Sequence, residues 1–154
     1  NIELWMGHVM DQEQLIWQGS ELGPGYENVV AGFHMNRYDL SASLNWNIGT
    51  RQELRVKLEA LGFDADNPIA CRIGSDGRGV VSNDPVQPFS LRNMGFQVRY
   101  RYELAPLSNL YVVYGRGGFG YDRYAAGAFQ QFNDAFSLRN DEQLVVKLAY
   151  RFEL

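Results

Sequence analysis

The sequence predicts an all-β protein: an antiparallel up-and-down transmembrane β-barrel of about eight strands, or the C-terminal section of a larger barrel. Three observations predict it. Several segments alternate apolar and polar residues with a period of two, short and long connections follow one another, and aromatic residues gather at one end of the strands. A chain of 154 residues has room for a single domain, residues 1–154.

The first part of the chain carries the weakest alternation. Residues 2–10, 14–19 and 28–34 are candidate strands, and the stretch 19–25, with its glycines and Pro24, is a turn or loop.

The middle of the chain holds the first two clear strands, residues 38–48 and 53–61, joined by a turn through Gly49 and Thr50. Asp39, Ser41 and Ser43 lie on the polar face of the first strand, and Arg55, Lys57 and Glu59 lie on that of the second. The opposite, outward face is apolar and consists of Tyr38, Leu40, Ala42, Leu44, Trp46, Ile48, Leu54, Val56, Leu58 and Ala60.

The last part of the chain adds strands at residues 94–104, 109–115 and 142–154, with a turn at 105–108. The last of these alternates without a break. We expect the even-numbered residues of the first and last strands to face lipid: Met94, Phe96, Val98, Tyr100, Tyr102, Leu104, Leu144, Val146, Leu148, Tyr150, Phe152 and Leu154.

The connections predict a topology. The links 49–52 and 105–108 are short, whereas 62–91 and 116–141 are long, which is typical of periplasmic turns and extracellular loops respectively. We therefore predict that 62–91 and 116–141 are extracellular loops. An aromatic girdle then falls at the periplasmic ends of the strands, made of Trp46, Tyr100, Tyr102, Tyr150 and Phe152.

The composition of the chain excludes some kinds of partner and site. The net charge of −4 and the pI near 5.1 argue against nucleic acid, since phosphate binding requires a basic surface. Cys71 is the single cysteine, so no internal disulfide or cysteine zinc site is expected. A soluble antiparallel sandwich or a lipocalin-like barrel, with the apolar face inward, is the alternative fold.

Two motifs point to ligands, and each has a plainer interpretation. Residues 115–120 read Gly-Arg-Gly-Gly-Phe-Gly, but a dinucleotide site requires a helix to follow, so a glycine-rich strand end is favoured. Asp64, Asp66 and Asn67 resemble the start of a calcium loop, but its glycine and final acidic residue are missing, which favours a solvated acidic loop. His8 and His34 show no recognisable catalytic arrangement. We predict no catalytic residue, cofactor or metal.

The inward face carries six basic residues against four acidic ones, Asp39, Glu59, Glu103 and Glu153. These side chains either form cross-strand ion pairs that fill a narrow lumen, or make the lumen mildly basic and so favour anionic solutes or an acidic plug. The basic residues are Arg55, Lys57, Arg99, Arg101, Lys147 and Arg151.

The end of the chain resembles the C-terminal assembly signal of bacterial outer-membrane proteins, with Lys147, Ala149, Phe152 and Leu154 in the signal positions. Ala149 replaces a glycine and Leu154 a terminal aromatic residue. The resemblance implies recognition by the barrel-assembly machinery.

Residues 36–154, above all 92–119 and 142–154, are similar to the C-terminal region of large Gram-negative proteins that begin with a family-9-like carbohydrate-binding domain and end as an outer-membrane barrel. The resemblance implies that the chain is the tail of a longer polypeptide in the outer membrane of a Gram-negative bacterium. The expected function is a non-enzymatic barrel serving as anchor, pore or ligand passage, with carbohydrate as one candidate ligand. The alternatives are a structural subunit of a larger envelope assembly, or the barrel part of a carbohydrate-binding or glycoside-hydrolysing protein. The expected partners are outer-membrane lipid, the assembly machinery, and carbohydrate or other envelope proteins.

Overall fold

The structure, a computed structural model, describes residues 1–152, which form one antiparallel sheet with two short helices. The strands are β1 (Ile2–Trp17), β2 (Val29–Ile48), β3 (Gln52–Ile73), β4 (Gly79–Val81), β5 (Phe89–Ala105), β6 (Ser108–Asp122) and β7 (Asp141–Ala149). The helices are α1 (Gly19–Leu22) and α2 (Ala128–Ala135). The predicted all-β, antiparallel class is confirmed.

Neighbours in the sequence are neighbours in the sheet. The order is β1-β2-β3-β5-β6-β7, with the three-residue β4 attached to the end of β3, so the long strands form an up-and-down meander. Within the described residues β1 and β7 do not pair with each other, and the sheet is therefore open rather than closed into a barrel.

The prediction of about eight strands was wrong in its divisions, because six long strands and one short strand are present in residues 1–152. The candidates 2–10 and 14–19 belong to β1, which continues through an irregularity between Asp11 and Gln14. The candidate 28–34 is the start of β2, which passes a similar irregularity between Gly32 and His34. A β-bulge changes the phase of the alternation without ending the pairing, so a break in the pattern imitates the end of a strand.

The long connections are shorter than predicted. Of 62–91, only 74–88 lies between β3 and β5, and of 116–141, only 123–140 lies between β6 and β7. The strands continue past the regular alternation, which is lost because residues of the otherwise polar face become buried there. Ala65, for example, lies on the same face of β3 as Arg55 and Lys57 but is fully buried.

Both faces of the sheet are covered at the end that carries the long connections. On one face, Val86 of the connection 74–88 packs on a cluster formed by Ala31, Phe33 and Ala65 with Ile16, Phe63 and Phe89. On the other face, α2 and the residues after it pack on the sheet in a cluster of Ala60, Met94 and Ala135 with Leu40, Leu58, Phe96, Phe132 and Leu138. The rest of the sheet has no second layer among the described residues.

The final strand is also shorter than the predicted 142–154. β7 ends at Ala149, which pairs with Asn109 near the beginning of β6, so residues 150–152 have no partner strand on that side. No helix in residues 1–152 is long and apolar enough to cross a membrane.

Candidate functional site

One face of the sheet carries an apolar band. The register aligns even-numbered side chains of all six long strands into rows, and the central row contains no polar residue except the hydroxyl of its tyrosine. This row is Ile2, Leu44, Val56, Val98, Tyr114 and Leu144. We call this side of the sheet the apolar face.

Four further rows flank the central row of the apolar face. The two on the side of the short turns contain Trp46, Leu54, Tyr100, Val112 and Val146, and then Ile48, Gln52, Tyr102, Leu110 and Leu148, of which only Gln52 is not an apolar or aromatic residue. The two on the other side contain Leu4, Ala42, Leu58 and Phe96, followed on β6 and β7 by the charged Arg116 and Glu142, and then Met6, Leu40, Ala60, Met94 and Gly118.

The band is large and mostly uncovered. Five rows, two residues apart, span about 27 Å along the strands. At its edges, Leu4 is 73% exposed and Leu144 66% exposed. A contiguous apolar surface of this kind marks a site of contact with another protein or with a membrane.

Helix α2 covers the far end of the apolar face, which sequence reasoning missed. The prediction that Met94 faces lipid was wrong, because Met94 packs under the helix and is only 4% exposed. Gly62 makes this close approach possible, since a Cβ at this position would overlap the backbone of Ala128 and Phe132. Position 62 was predicted to begin the loop 62–91, so the signal that a glycine inside a strand gives of a close backbone approach was missed.

A polar network fixes α2 on the sheet. Gln131 is buried, donates hydrogen bonds to Ser90 Oγ (3.1 Å) and Asp122 Oδ2 (3.0 Å), and accepts one from Arg92 Nη1 (2.8 Å). Arg92 also forms an ion pair with Asp122 (2.6 Å). The helix is therefore held by specific hydrogen bonds as well as by apolar packing.

The opposite side of the sheet, the polar face, carries five of the six basic residues predicted for the lumen. Arg55 lies opposite Arg99 across β3 and β5. Lys57 and Arg101 occupy the rows on either side, and Lys147 extends the row of Arg101 through Tyr111. Arg151 lies beyond the end of β7, where its backbone N–H donates to Ser108 Oγ at 3.0 Å.

Two ion pairs on this face join residues of the same strand. Of the six predicted basic residues, only Arg55 has an ion pair within the described chain, to Glu53 two residues away (Nε to Oε1 2.6 Å). Arg37 and Asp39 form a similar pair within β2. The predicted cross-strand ion pairs do not form among these basic residues in residues 1–152.

The structure places the predicted girdle residues in two groups. Trp46, Tyr100 and Tyr102 lie on the apolar face in two adjacent rows next to the short turns, as the alternation predicts. Tyr150 and Phe152 follow β7, with their ring centroids 4.9 Å apart. Of the predicted assembly signal, Lys147 and Ala149 lie in β7, Phe152 is 80% exposed, and Leu154 lies outside the described residues.

A latch holds the connection 74–88 on the polar face. Arg72, near the end of β3, binds Asp84 through two nitrogens, with Nε to Oδ2 at 2.8 Å, and the hydroxyl of Ser82 donates to the same carboxylate at 2.6 Å. These hydrogen bonds lower the pKa of Asp84. Next to the latched segment is a cavity of about 450 Å³ lined by Ile16, Trp17, Gln18, Leu22, Pro85, Gln87, Pro88, Phe89, Tyr121 and Arg123.

The two ligand-like motifs both lie in strands. Residues 115–120 are internal to β6, which continues to Asp122 without a helix, so the dinucleotide geometry is absent. Asp64, Asp66 and Asn67 lie in β3, and the expected solvated loop was wrong; Asp64 instead accepts a hydrogen bond from the Gly127 N–H (3.2 Å). In residues 1–152, no group of three or more His, Cys, Asp or Glu residues is arranged to hold a metal ion.

The histidines have polar neighbours. His8 Nε2 is 2.7 Å from Asn36 Oδ1 and its ring stacks on Tyr38, and His34 Nδ1 is 3.3 Å from Asn67 Nδ2.

Comparison with known proteins gives no match: no family model, no curated protein and no solved structure is similar to this chain.

Proposed function

We propose that this chain is a section of an outer-membrane β-barrel, with the apolar face toward lipid and the polar face toward the lumen. The observation that carries the proposal is the apolar band, whose central row crosses all six long strands, together with charged and polar rows on the opposite face. The length of the band, about 27 Å along the strands, is of the order of the lipid-facing zone of outer-membrane barrels, about 25 Å tall.

The open edges require further strands. β1 and β7 each leave one row of backbone groups without a strand partner in the described chain. In hydrocarbon each unsatisfied N–H or C=O costs several kcal/mol, so a sheet in a bilayer must close. An eight-stranded barrel is about the smallest with a filled interior. At least two more strands, from elsewhere in the polypeptide or from another chain, would therefore complete this sheet.

The proposed role is that of a non-enzymatic anchor or passage in the outer membrane of a Gram-negative bacterium. Its partners are then membrane lipid, the barrel-assembly machinery and a ligand, for which carbohydrate is a candidate. The resemblance of residues 36–154 to barrels that follow a carbohydrate-binding domain supports this role. The long sheet also supports it, because most of the sheet has no second layer packed on either face.

One observation favours a second role. Because α2 covers Ala60 and Met94 on the apolar face, protein contacts replace lipid contacts at this end. In a structural subunit, other envelope proteins would cover the rest of the apolar face in the same way.

Quenching of single tryptophans by brominated lipids tests the proposal. Trp46 lies on the apolar face and Trp5 on the polar face, and both are 54% exposed, so the two side chains match in exposure and lie on opposite faces. One variant keeps Trp46 (W5F/W17F) and the other keeps Trp5 (W17F/W46F). In vesicles with brominated acyl chains, we expect strong quenching of Trp46 and weak quenching of Trp5.

The same variants in vesicles without bromine control for changes in environment. Equal quenching of the two tryptophans would contradict the assignment of the faces. Absence of quenching at Trp46 in membrane-inserted protein would favour docking of the apolar face on another protein.

A further inference from the structure

The polar face concentrates positive charge on an acidic chain. Three adjacent rows of this face, which contain Arg101, Arg55 and Lys57, hold five basic and two acidic side chains, although the whole chain has a net charge of −4. The acidic pair is Glu53 and Glu3, and Glu3 lies at the edge of the sheet in β1. The next row toward the short turns contains Glu103. The centre of the patch, on β3 and β5, is therefore cationic.

The charges at this centre are poorly compensated. Arg55 and Arg99 are direct cross-strand partners, an arrangement of like charges that destabilises a sheet unless an anion lies between them. Glu53 pairs with Arg55 alone, and Arg99 and Arg101 have no ion pair within residues 1–152. The Nε–H of Arg101 is shielded from solvent and has no acceptor there. A buried charged donor without an acceptor is costly, which points to a missing partner.

A groove of about 380 Å³ lies over these residues, lined by Glu53, Arg55, Arg99, Tyr100, Arg101, Tyr111 and Val113. We propose that this groove binds the oxyanion group, phosphate or sulfate, of a soluble ligand. Guanidinium groups donate paired hydrogen bonds that match the spacing of oxyanion oxygens, and the Tyr111 hydroxyl adds a neutral donor. This inference rests on the proposed function in one respect, since it names the class of ligand that the passage would bind.

Arginine side-chain NMR tests the site directly. The full chain, labelled with ¹⁵N at arginine and refolded in neutral detergent, is titrated with inorganic phosphate at constant ionic strength. We expect saturable shifts of the Arg99 and Arg101 Nε–H signals. Arg99→Gln and Arg101→Gln should each weaken binding about tenfold, the effect of losing one charge-assisted hydrogen bond. The matched control is Arg139→Gln, an exposed arginine outside the groove, which should bind like the wild type.

Several outcomes would overturn the inference. They are a non-saturating drift that is equal in all variants, the same shifts with chloride in place of phosphate, and binding of phosphatidic acid micelles without binding of soluble phosphate. Arg99→Lys keeps the charge but loses the paired donors, so wild-type affinity in this variant would also contradict it. Lipid quenching of Trp46 without phosphate binding would leave the barrel proposal standing and remove only the anion site. Phosphate binding without lipid quenching of Trp46 would leave the anion site standing and remove the barrel proposal.

Discussion

Gly62 lies directly beneath the backbone of Phe132, so that a Cβ at position 62 would overlap the Phe132 amide nitrogen and the Ala128 carbonyl oxygen. The contact lies where α2 crosses β3, and backbone atoms cannot swing aside as a flexible side chain does. It makes the position of α2 depend on the absence of one methyl group.

We therefore expect Gly62→Ala to displace α2 and to destabilise the folded state by about 1–3 kcal/mol, the usual cost of overpacking. Gly95→Ala is the matched control, because it is a strand glycine with open space around its Cβ position, and it should change stability by less than about 0.5 kcal/mol. Thermal unfolding gives the stability, and proteolysis within 123–140 reports on the helix. Equal effects of the two substitutions would contradict the packing described.

The hydrogen bonds of Gln131 predict a second effect on the same helix. Gln131→Ala removes the bonds to Ser90, Asp122 and Arg92 and should cost about 1–3 kcal/mol. Gln130→Ala, at the exposed neighbouring position, should be close to neutral. Hydrogen exchange of the α2 amides is the measurement. If exchange is unchanged in Gln131→Ala, apolar packing alone holds the helix.

The latch between Arg72 and Asp84 predicts a dependence on pH. Because the folded-state pKa of Asp84 is lowered below its unfolded value, about 3.9, the latch contributes fully above that value and is lost as the pH falls through the folded pKa. We expect the NMR signals of residues 82–88 to be constant from about pH 5 to 8 and to broaden in strong acid.

Asp84→Asn should release the same segment at neutral pH. The thiol of Cys71, which pairs with Val81 of β4 and is half-buried, then reacts faster with a maleimide. Asp76→Asn is the control, because Asp76 is exposed and its ion pair with Arg78 is long, at 3.9 Å. Equal labelling rates for the two variants would show that the ion pair does not hold the segment.

The parts of the fold that follow from the alternation were predictable. The period of two in β2, β3, β5 and β7 placed Leu44, Val98 and Leu144 on one face of the sheet. The same pattern placed Arg55 and Arg99 on the opposite face. The end of the sheet that carries the long connections was not predictable in this way. The bulge between Gly32 and His34 shifts the phase there, and burial of Phe33 and Ala65 moves to the other face.

The position of α2 was hidden for a different reason. Its sequence, Ala-Phe-Gln-Gln-Phe-Asn-Asp-Ala, has helical spacing, but nothing local says which surface the helix covers. That depends on Gly62, more than sixty residues earlier in the chain. A contact between such distant residues depends on the arrangement of the whole sheet, which local periodicity does not predict.

The proposed membrane environment predicts an effect that depends on both face and depth. Val98 lies in the central row of the apolar face between Val56 and Tyr114, whereas the adjacent Gln97 points to the polar face. Val98→Arg should destabilise the inserted protein by about 2–4 kcal/mol, because the charge would lie near the bilayer midplane. Gln97→Arg should cost much less. Leu110→Arg, on the apolar face near the short turns, should cost only about 0–1 kcal/mol because it lies near the interface.

Unfolding of the inserted protein in vesicles by guanidinium gives these differences. The depth series separates lipid from a protein core, since a soluble core would penalise arginine at Leu110 as well as at Val98. Similar large costs at both positions would therefore contradict the bilayer assignment and favour a docked protein surface. Similar small costs at Val98 and Gln97 would mean that the two faces meet the same surroundings, and that the apolar band has another purpose.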